Sequence, residues 1–174
     1  MMPPLLVRLD ARDRALFSRL ALNAGRGHRL RGFWTAITHL GGARFTIAVC
    51  LLSVLLPRVT FAIAGRALLW LGVSHVVIHV VKRFAVRERP TVRMSLQALI
   101  SVPDRFSFPS GHACAAMTVA AAYAWAFPVL AVPLLALAML VGLSRVVLGA
   151  HYPGDVAVGQ VIALASAYGM LSLA

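Results

Sequence analysis

Five long apolar blocks, separated by short polar segments, dominate the pattern of the chain. They lie at roughly residues 33–57, 59–81, 109–127, 128–148 and 155–174. A helix needs about 20 apolar residues to cross the hydrocarbon core of a bilayer, and a soluble protein seldom buries several such helices in succession. Pro128 and Pro133 mark the turn between the third and fourth blocks. The pattern therefore predicts an all-α fold, a polytopic transmembrane bundle of five to six helices.

The first 32 residues follow a different pattern, with basic residues on one side of a helix and an apolar stripe on another. The basic set is Arg12, Arg19 and Arg26, and the apolar set is Leu16, Phe17, Leu20 and Ala24. This pattern is typical of an amphipathic helix lying in the membrane interface, and a poorly ordered basic tail is the alternative. No continuous apolar run indicates a cleavable signal peptide. We interpret residues 1–174 as a single membrane domain, with an interfacial segment over 1–32 and a transmembrane core over 33–174.

The composition agrees with lipid as the solvent, because 60% of the residues are hydrophobic and a soluble domain is nearer half. The net charge of +12 arises from 17 basic and 5 acidic residues. Nucleic acid is disfavoured as a partner because the basic residues lie between apolar blocks. Most arginines are interpreted as anchors for lipid headgroups, but Lys82 is the only lysine. Cys50 and Cys114 lie inside apolar blocks, so they predict neither a disulfide framework nor a metal site.

Alternation of the spans across the membrane brings the polar segments together. The second block ends at Lys82 and the third begins at Pro109, so the residues between them form a loop on one face. The fourth block returns to that face near Leu148, and the fifth leaves from it at Asp155. Three polar clusters are therefore predicted to share one side of the membrane: residues 82–93, 107–112 and 144–155.

The segment Pro109-Ser110-Gly111-His112 has the features of a helix N-terminus that binds an anion. Proline suits the first turn of a helix, where its missing N–H would be unpaired in any case. The free N–H groups of Ser110, Gly111 and His112, with the helix dipole, favour a negative charge. Glycine lets a phosphate approach the backbone closely. The segment therefore predicts a phosphate site at the start of the third block.

Basic residues from three other points of the chain can surround the same anion. They are Lys82, Arg89 and Arg145. Arginine presents two parallel donors to phosphate oxygens, and such a cage suits phosphoryl transfer, in which negative charge spreads over those oxygens. Each residue alone has a simpler interpretation, such as a side chain that snorkels to the interface. The three together favour an anion site.

His151 and His112 have complementary tasks in such a site. One imidazole can attack phosphorus, and the other can protonate a lipid alkoxide, which is a poor leaving group. An unperturbed pKa near 6.5 suits histidine to both tasks at neutral pH. Asp155 follows His151 by four residues, across Pro153-Gly154. Its carboxylate can hold one ring N–H and present the other nitrogen to phosphorus, although a helix cap is the simpler interpretation.

Three stretches of the chain resemble the signature motifs of the type-2 phosphatidic acid phosphatase superfamily, which includes bacterial acid phosphatases and vanadium haloperoxidases. The family pattern is Lys, six residues and Arg-Pro; then Pro-Ser-Gly-His; then Ser-Arg, five residues, His, three residues and Asp. The chain matches every defined position, at Lys82, Arg89-Pro90, Pro109 to His112, Ser144-Arg145, His151 and Asp155. Pro-Ser-Gly-His alone is a weak signal, but three motifs in order at these spacings are specific.

The resemblance implies a helical bundle with a catalytic core that uses no metal and no other cofactor. Carried over by position, His151 would attack phosphorus and form a phosphohistidine, Asp155 would orient it, and His112 would protonate the leaving group and then activate water. The implied phosphate ligands are Lys82, Arg89, Ser110, the Gly111 amide and Arg145. Membrane members of the family often have six spans, whereas this chain has five apolar blocks and the interfacial segment.

The implied activity is that of a membrane lipid phosphate phosphatase, which hydrolyses a phosphomonoester or diphosphate of a lipid in the bilayer. Candidate substrates are undecaprenyl diphosphate, phosphatidylglycerophosphate and phosphatidic acid. The alternatives are a lipid phosphotransferase that uses the same phosphohistidine and a non-enzymatic membrane protein, while a vanadate-dependent oxidase is disfavoured because the chain is short and membrane-embedded. Bacterial members commonly face the periplasm, so we expect an inner (plasma) membrane protein with its site on that side. The oligomeric state is left open.

His75 and His79 precede Lys82 by seven and three residues, on the same face of the second span. Ionisable groups at this depth are costly and usually face the interior of a bundle. A proton path beneath the phosphate cage is one interpretation. The simpler one is a neutral pair that is hydrogen-bonded to the backbone or to Ser74.

Overall fold

The computed structural model describes residues 4–22, 28–85, 87–93, 99–100 and 106–172. Within these ranges the chain is almost entirely helical. The helices are α1 (Pro4–Leu20), α2 (His28–His39), α3 (Ala43–Leu52), α4 (Phe61–Phe84), α5 (Pro90–Arg93), α6 (Gly111–Ala126), α7 (Ala131–Val147) and α8 (Pro153–Ser172). Short 3₁₀ turns cover Ser53–Leu55 and Pro128–Leu130. A single isolated β-bridge in the described part pairs Glu88 with Phe106, so the expected all-α fold is confirmed.

Helix α6 forms the centre of the bundle and packs against α3, α4, α7 and α8. Alanines cover much of its surface and allow the neighbouring helices to approach closely. The buried ones are Ala113, Ala115, Ala116, Ala120 and Ala122. A helix buried on all sides needs no polar face, which agrees with the continuous apolar run in the sequence. The N-terminus of α6 therefore opens from the middle of the bundle, where the neighbouring helices can supply side chains to it.

Three helical segments of the described chain are long and apolar enough to cross a membrane: α4, α8, and α7 together with the 3₁₀ turn before it (Pro128–Val147). A fourth span results if α2 and α3 count as one bent pair. The remaining predicted span corresponds to α6, which has 16 residues and is shorter than the roughly 20 residues that a full crossing requires. The expected membrane-protein fold therefore holds. The number of five to six spans stays a prediction.

The first apolar block, predicted as one span over 33–57, is two helices that meet at a bend of 55°. The bend lies at Gly41 and Gly42, between α2 and α3. A Cβ atom on Gly41 would lie 2.6 Å from Cγ1 of Val141 and 2.8 Å from the backbone oxygen of His112. Only glycine permits this approach, so the bend is pressed against the start of α6 and against α7.

Helix α1 lies within the predicted interfacial segment and packs against α7 and α8. Of its predicted apolar stripe, Phe17 is fully buried, with its ring 5.4 Å from that of Tyr152, whereas Leu16 and Leu20 are exposed. Ala24 and Arg26 lie outside the described residues. The stripe is therefore divided between a contact with the bundle and an exposed side, and the interfacial position of α1 stays a prediction.

The histidine pair of α4 is present as predicted, with the His75 and His79 rings 5.8 Å apart. The hydroxyl of Ser74, one predicted partner, instead donates to the carbonyl of Leu71 and accepts from Thr118. Ser74 is therefore used by α4 itself and by α6.

Candidate active site

His151 occupies the tight loop between α7 and α8. The backbone N–H groups of Ala150 and His151 both donate to the carbonyl of Arg145, at 2.9 and 3.2 Å. Gly149 has a φ of +81°, a conformation that glycine adopts without the clash that a Cβ would cause. The five residues between Arg145 and His151 thus form a closed loop, which fixes the two motif residues relative to each other.

The imidazole of His151 is buried, with 2% of the residue exposed. Its Nδ1 lies 2.6 Å from the carbonyl oxygen of Ser107. Because a carbonyl only accepts hydrogen bonds, Nδ1 carries the proton and Nε2 has a free electron pair. Nε2 lies 3.3 Å from Nη1 of Arg89. The unprotonated nitrogen therefore faces the cationic group that was predicted to bind phosphate.

Asp155 does not make the expected hydrogen bond to His151. The distance from its Oδ2 to Nδ1 of His151 is 3.8 Å, which is too long, and the carbonyl of Ser107 takes that proton instead. Oδ2 accepts from the Ser107 hydroxyl and, at 2.9 Å, from the N–H of Tyr152, while Oδ1 accepts from Arg87 at 2.6 Å. Ser107 therefore links the two motif residues, with its carbonyl on His151 and its hydroxyl on Asp155.

Arg89 and Arg145 are both 2% exposed, so neither is a headgroup anchor at the surface. Nη1 of Arg89 donates to the carbonyl of Ala150 at 2.7 Å, beside the His151 ring. Nη1 of Arg145 donates to the hydroxyl of Thr38 in α2 at 2.8 Å. One nitrogen of each guanidinium is thus held by a neutral group, and both guanidinium groups lie within electrostatic range of His151.

The start of α6 supplies fewer backbone donors than the sequence indicated. The N–H of Ser110 donates to the carbonyl of Asp155 at 3.0 Å, so it does not belong to the anion site, and the free N–H groups begin at Gly111. The Ser110 hydroxyl does not cap its own helix, and it is buried without a hydrogen-bond partner among the described residues. A buried unpaired hydroxyl is costly, and a bound phosphate oxygen would satisfy it.

His112 lies in the first turn of α6, half-buried and within electrostatic range of Arg145, His151 and Arg89. On its other side is the bend between α2 and α3, where a Cβ on Gly42 would lie 3.8 Å from Nε2 of the ring. His112 therefore stands between the cationic cage and the bend. Lys82 is half-buried in the last turn of α4, at the same end of the bundle.

An apolar groove of about 610 Å³ runs along α3, α6 and α7, and one end of it lies at Leu40 and Val141, next to the bend at Gly41. The far end is lined by Arg58 and Phe127. Val119 and Leu137 form part of its walls. The groove joins the polar end of the bundle to the opposite end, with nearly no polar surface in between.

Burial is the largest influence on the His151 imidazole and lowers its pKa; Asp155 opposes this, and Arg145 and Arg89 lower it further, so that the pKa is about 4. The ring is therefore neutral at physiological pH, as a nucleophile must be. Burial also acts to lower the pKa of Arg87, but the carboxylates of Asp155, Asp13 and Asp10 outweigh it and raise that pKa. Arg87 thus remains a cation in contact with Asp155.

Sequence reasoning missed Ser107, Arg87 and Thr38 as parts of the site. Arg87 is one of the undefined positions inside the first motif, and Ser107 lies two residues before the second, but nothing in their spacing marks them. Thr38 is 107 positions from Arg145, and only folding brings them together. Among the described residues, no group of three or more His, Cys, Asp or Glu side chains is arranged to hold a metal ion.

Residues 63–174 match the sequence profile of the PAP2 superfamily. The chain belongs to this superfamily. All three motifs, over residues 82–155, lie inside the matched region. Decaprenylphosphoryl-5-phosphoribose phosphatase of Mycobacterium tuberculosis is 37% identical over 103 residues, which cover 57% of this chain and 53% of that protein. The chain therefore spans about half the length of the curated relatives it matches.

Two solved structures have the same fold. LpxE of Aquifex aeolicus superposes with a TM-score of 0.77 at 24% identity, covering 91% of this chain and 93% of that one. The transmembrane PAP2-type phosphatidylglycerolphosphate phosphatase of Bacillus subtilis superposes with a TM-score of 0.75 at 28% identity, covering 95% and 86%. These likenesses agree with an integral membrane PAP2 protein whose helices are arranged around a central α6.

Proposed function

We propose that this PAP2 protein is a membrane lipid phosphate phosphatase that works through a phosphohistidine on His151. The observation that carries the proposal is the orientation and protonation of the His151 ring. Its Nδ1–H donates to the Ser107 carbonyl, and its Nε2 lies 3.3 Å from Nη1 of Arg89. A neutral, oriented nitrogen beside a buried guanidinium suits in-line attack on a phosphate held by that guanidinium.

In the proposed reaction, Nε2 of His151 forms a bond to phosphorus while the bond from phosphorus to the lipid oxygen breaks. His112 donates a proton to that oxygen, which leaves as the lipid alcohol or, from a diphosphate, as the lipid monophosphate. His112 then removes a proton from water, whose oxygen attacks phosphorus and releases inorganic phosphate and free His151. The phosphate oxygens are held by Lys82, Arg89, Ser110, the Gly111 amide and Arg145. No step uses a metal ion.

Asp155 acts in this proposal through Ser107, since its carboxylate accepts a hydrogen bond from the Ser107 hydroxyl and lies 3.8 Å from Nδ1 of His151. Its negative charge stabilises the imidazolium character that develops as Nε2 bonds to phosphorus. The role expected from the motif, orientation of the nucleophile, is thus divided between Ser107, which holds the ring, and Asp155, which holds Ser107.

The apolar groove supports a lipid as the substrate. It begins at Leu40 and Val141, close to the bend that faces His112, and His112 is the group proposed to protonate the leaving oxygen. We propose that a hydrocarbon chain attached to that oxygen extends past the bend into the groove. A groove with few polar groups suits a hydrocarbon chain and offers nothing to a hydrophilic leaving group. The relatives named as phosphatases of decaprenylphosphoryl-5-phosphoribose and phosphatidylglycerolphosphate favour the same class.

Within this class we place undecaprenyl diphosphate, phosphatidylglycerophosphate, phosphatidic acid and a prenyl-linked sugar phosphate as substrates to compare. We also propose a location in the bacterial inner membrane with the site on the periplasmic side, which rests on the family resemblance. Several basic residues at this end are proposed phosphate ligands, so their number is not evidence of a cytoplasmic face.

The test is release of inorganic phosphate by the purified, detergent-solubilised full chain, with EDTA present, from each of these lipids. We expect release from at least one of them, and loss of that release in His151→Ala, whose nucleophile is missing. Identification of the phosphorylated products separates hydrolysis, which releases inorganic phosphate, from transfer, which phosphorylates a second lipid. Release that survives His151→Ala contradicts the phosphohistidine, and transfer of phosphate only to an acceptor lipid supports the phosphotransferase instead.

A further inference from the structure

Helix α1 reaches the catalytic loop through two aspartates that the family motifs do not include. Asp13 accepts a hydrogen bond from the backbone N–H of Gly154, at 2.7 Å, in the first turn of α8. Asp10 and Asp13 both contact the guanidinium of Arg87, at 2.9 and 2.8 Å. The matched family region begins at residue 63, so membership of the superfamily assigns no role to either residue.

Arg87 connects these aspartates to the active site. Its Nη1 donates to Oδ1 of Asp155 at 2.6 Å, while its Nη2 faces the two carboxylates of α1. The guanidinium also lies over the Tyr152 ring, 4.2 Å from the centroid. Asp155 is fully buried, and a buried carboxylate needs a partner held in place. The position of Arg87, and through it that of Asp155, therefore depends on the docking of α1.

The contact between Asp13 and Gly154 leaves no room for a side chain at Gly154. A Cβ there would lie 2.8 Å from Oδ2 and 3.3 Å from Cγ of Asp13, so the carboxylate of Asp13 would have to shift away from the backbone of Gly154. The carboxylate thus rests on the backbone of the residue that precedes Asp155, at the positive end of α8. Phe17, fully buried against Tyr152, anchors the same helix one turn further on.

We propose that Asp13 is a positioning residue for the PAP2 reaction, and that through Gly154 and Arg87 it holds Asp155 and His151 in their reactive arrangement. Helix α1 is then part of the catalytic apparatus rather than only a membrane anchor. The proposal rests on the proposed phosphatase function for its kinetic test, but its structural test does not. Loss of the contact between Asp13 and Gly154 is expected to slow the chemical step without weakening the binding of the lipid phosphate.

Two variants separate Asp13 from its contact in different ways. Asp13→Ala removes the carboxylate, and Gly154→Ala keeps every polar group but introduces the Cβ that displaces it. We expect each to lower kcat by roughly tenfold, since small displacements of catalytic groups have effects of this size, with KM changed less than twofold. The double variant should be no slower than the slower single one, because both remove the same contact.

Two matched controls change the same atoms elsewhere. Glu88→Gln removes one carboxylate charge from an exposed side chain, and Gly65→Ala adds a Cβ on α4 where no atom lies within 4 Å. Both should retain the kcat of the unaltered chain. Asp13→Asn, which keeps an acceptor for Gly154 but loses the charge toward Arg87, should recover part of the rate lost in Asp13→Ala.

The structural test is the imidazole Nδ1–H resonance of His151 in the histidine-labelled full chain, assigned by its loss in His151→Ala. Asp13→Ala and Gly154→Ala should shift this resonance, and the two controls should not. Unchanged kcat and resonance in both variants would overturn the proposal, as would a lower kcat that only follows a smaller folded fraction. If the unaltered chain hydrolyses no lipid phosphate, the proposed function fails, while the resonance still tests the positioning.

Discussion

The two ends of the bundle hold their arginines in different ways. At the end that holds His151 and the proposed active site, which we name the catalytic end, Arg89 and Arg145 are 2% exposed and donate to the carbonyl of Ala150 and the hydroxyl of Thr38. At the opposite end, Arg66 lies over the ring of Trp125 at 4.2 Å, and Arg58 is exposed at the mouth of the groove. A guanidinium stacked on an interfacial tryptophan is typical of membrane anchoring, whereas burial among specified partners is typical of an anion site. The number of basic residues at each end does not distinguish these roles, but their surroundings do.

The largest expected effect contrasts the same substitution at the two ends. Arg145→Lys keeps the positive charge but loses the fork of donors that grips phosphate oxygens, and we expect kcat/KM to fall by about 100-fold or more. Arg66→Lys should leave kcat/KM within about twofold, because Lys at an interfacial position serves the same anchoring role. Phosphate release from a lipid phosphate by the two purified variants measures both. Equal losses in the two would remove the distinction between the ends.

The second effect concerns the protonation of His151 at the catalytic end. With a pKa of about 4, roughly 90% of the ring is neutral at pH 5, against about 3% for an unperturbed histidine. Titration of the His151 ring resonances in the free protein measures this directly, without interference from the ionisation of the substrate. A midpoint near 6.5 would contradict the burial of the ring among Arg89 and Arg145.

The same lowered pKa makes a prediction for stability. The unfolded chain takes up a proton on His151 near pH 6.5, and the folded chain only near pH 4. Between these values the unfolded state binds more protons, so the contribution of His151 to stability is present above pH 6.5 and is lost as the pH falls toward 4. Thermal denaturation in detergent should show this loss in the unaltered chain and a smaller one in His151→Ala.

The third effect tests whether the apolar half of the molecule contributes to the reaction. Leu137→Trp enlarges a groove-lining side chain that is 41% exposed, and Leu164→Trp makes the same change on α8, at a residue 46% exposed and outside the groove lining. We expect the first to lower kcat/KM about tenfold for a long-chain lipid phosphate, because the lost contact area is that of about two methylene groups, and to spare a short-chain one. The second should affect neither substrate. Equal effects on both chain lengths would exclude the groove as the site of the hydrocarbon chain.

The gathering of the motif residues at one end of the bundle was predictable from the sequence, because it depends on spacing along the chain. The interval from Arg145 through His151 to Asp155 is closed by a turn at Gly149, and the motif residues next to it lie at the predicted end of the bundle. The block boundaries were also close, since 59–81 became Phe61–Phe84 and 128–148 contains Ala131–Val147. Apolar runs of this length leave few alternatives to a helix in a membrane.

The features of the site that the sequence did not predict depend on contacts between segments that are distant in the chain. The acceptor for His151 is the backbone carbonyl of Ser107, and a carbonyl has no signature in a sequence. Asp13 lies 141 positions from Gly154, in a segment interpreted only through its apolar stripe. The bend at Gly41 and Gly42 interrupts an apolar run that indicated a continuous span. In each case the decisive atom belongs to the backbone or to a tertiary neighbour, which periodicity does not reveal.

The fourth effect is smaller and concerns Ser107 alone. Ser107→Ala keeps the backbone carbonyl that accepts from His151 but removes the hydroxyl that donates to Asp155. The Asp155 carboxylate still accepts hydrogen bonds from the N–H of Tyr152 and from Arg87. We expect kcat to fall by a factor of about 3 to 10, which corresponds to about 1 kcal/mol, the net value of a typical hydrogen bond. A loss as large as that of His151→Ala would mean that the hydroxyl, rather than the carbonyl, sets the orientation of the ring.

The smallest effect lies in the apolar half, where Ser53 and Tyr123 form a buried hydrogen bond of 2.6 Å between their hydroxyls. Both line the groove far from His151, so we expect no change in kcat. Tyr123→Phe leaves Ser53 bonded to the carbonyl of Cys50 at 2.9 Å, and should cost about 1 kcal/mol or less. Ser53→Ala leaves the buried tyrosine hydroxyl with the Cys50 thiol, a weak hydrogen-bonding group, and should cost more, about 1–3 kcal/mol. Thermal denaturation in detergent ranks the two variants. The reverse order would mean that the phenol finds a new partner when the serine is removed. A fall in kcat for either variant would show that the polar end and the apolar end of the bundle are coupled more closely than their contacts indicate.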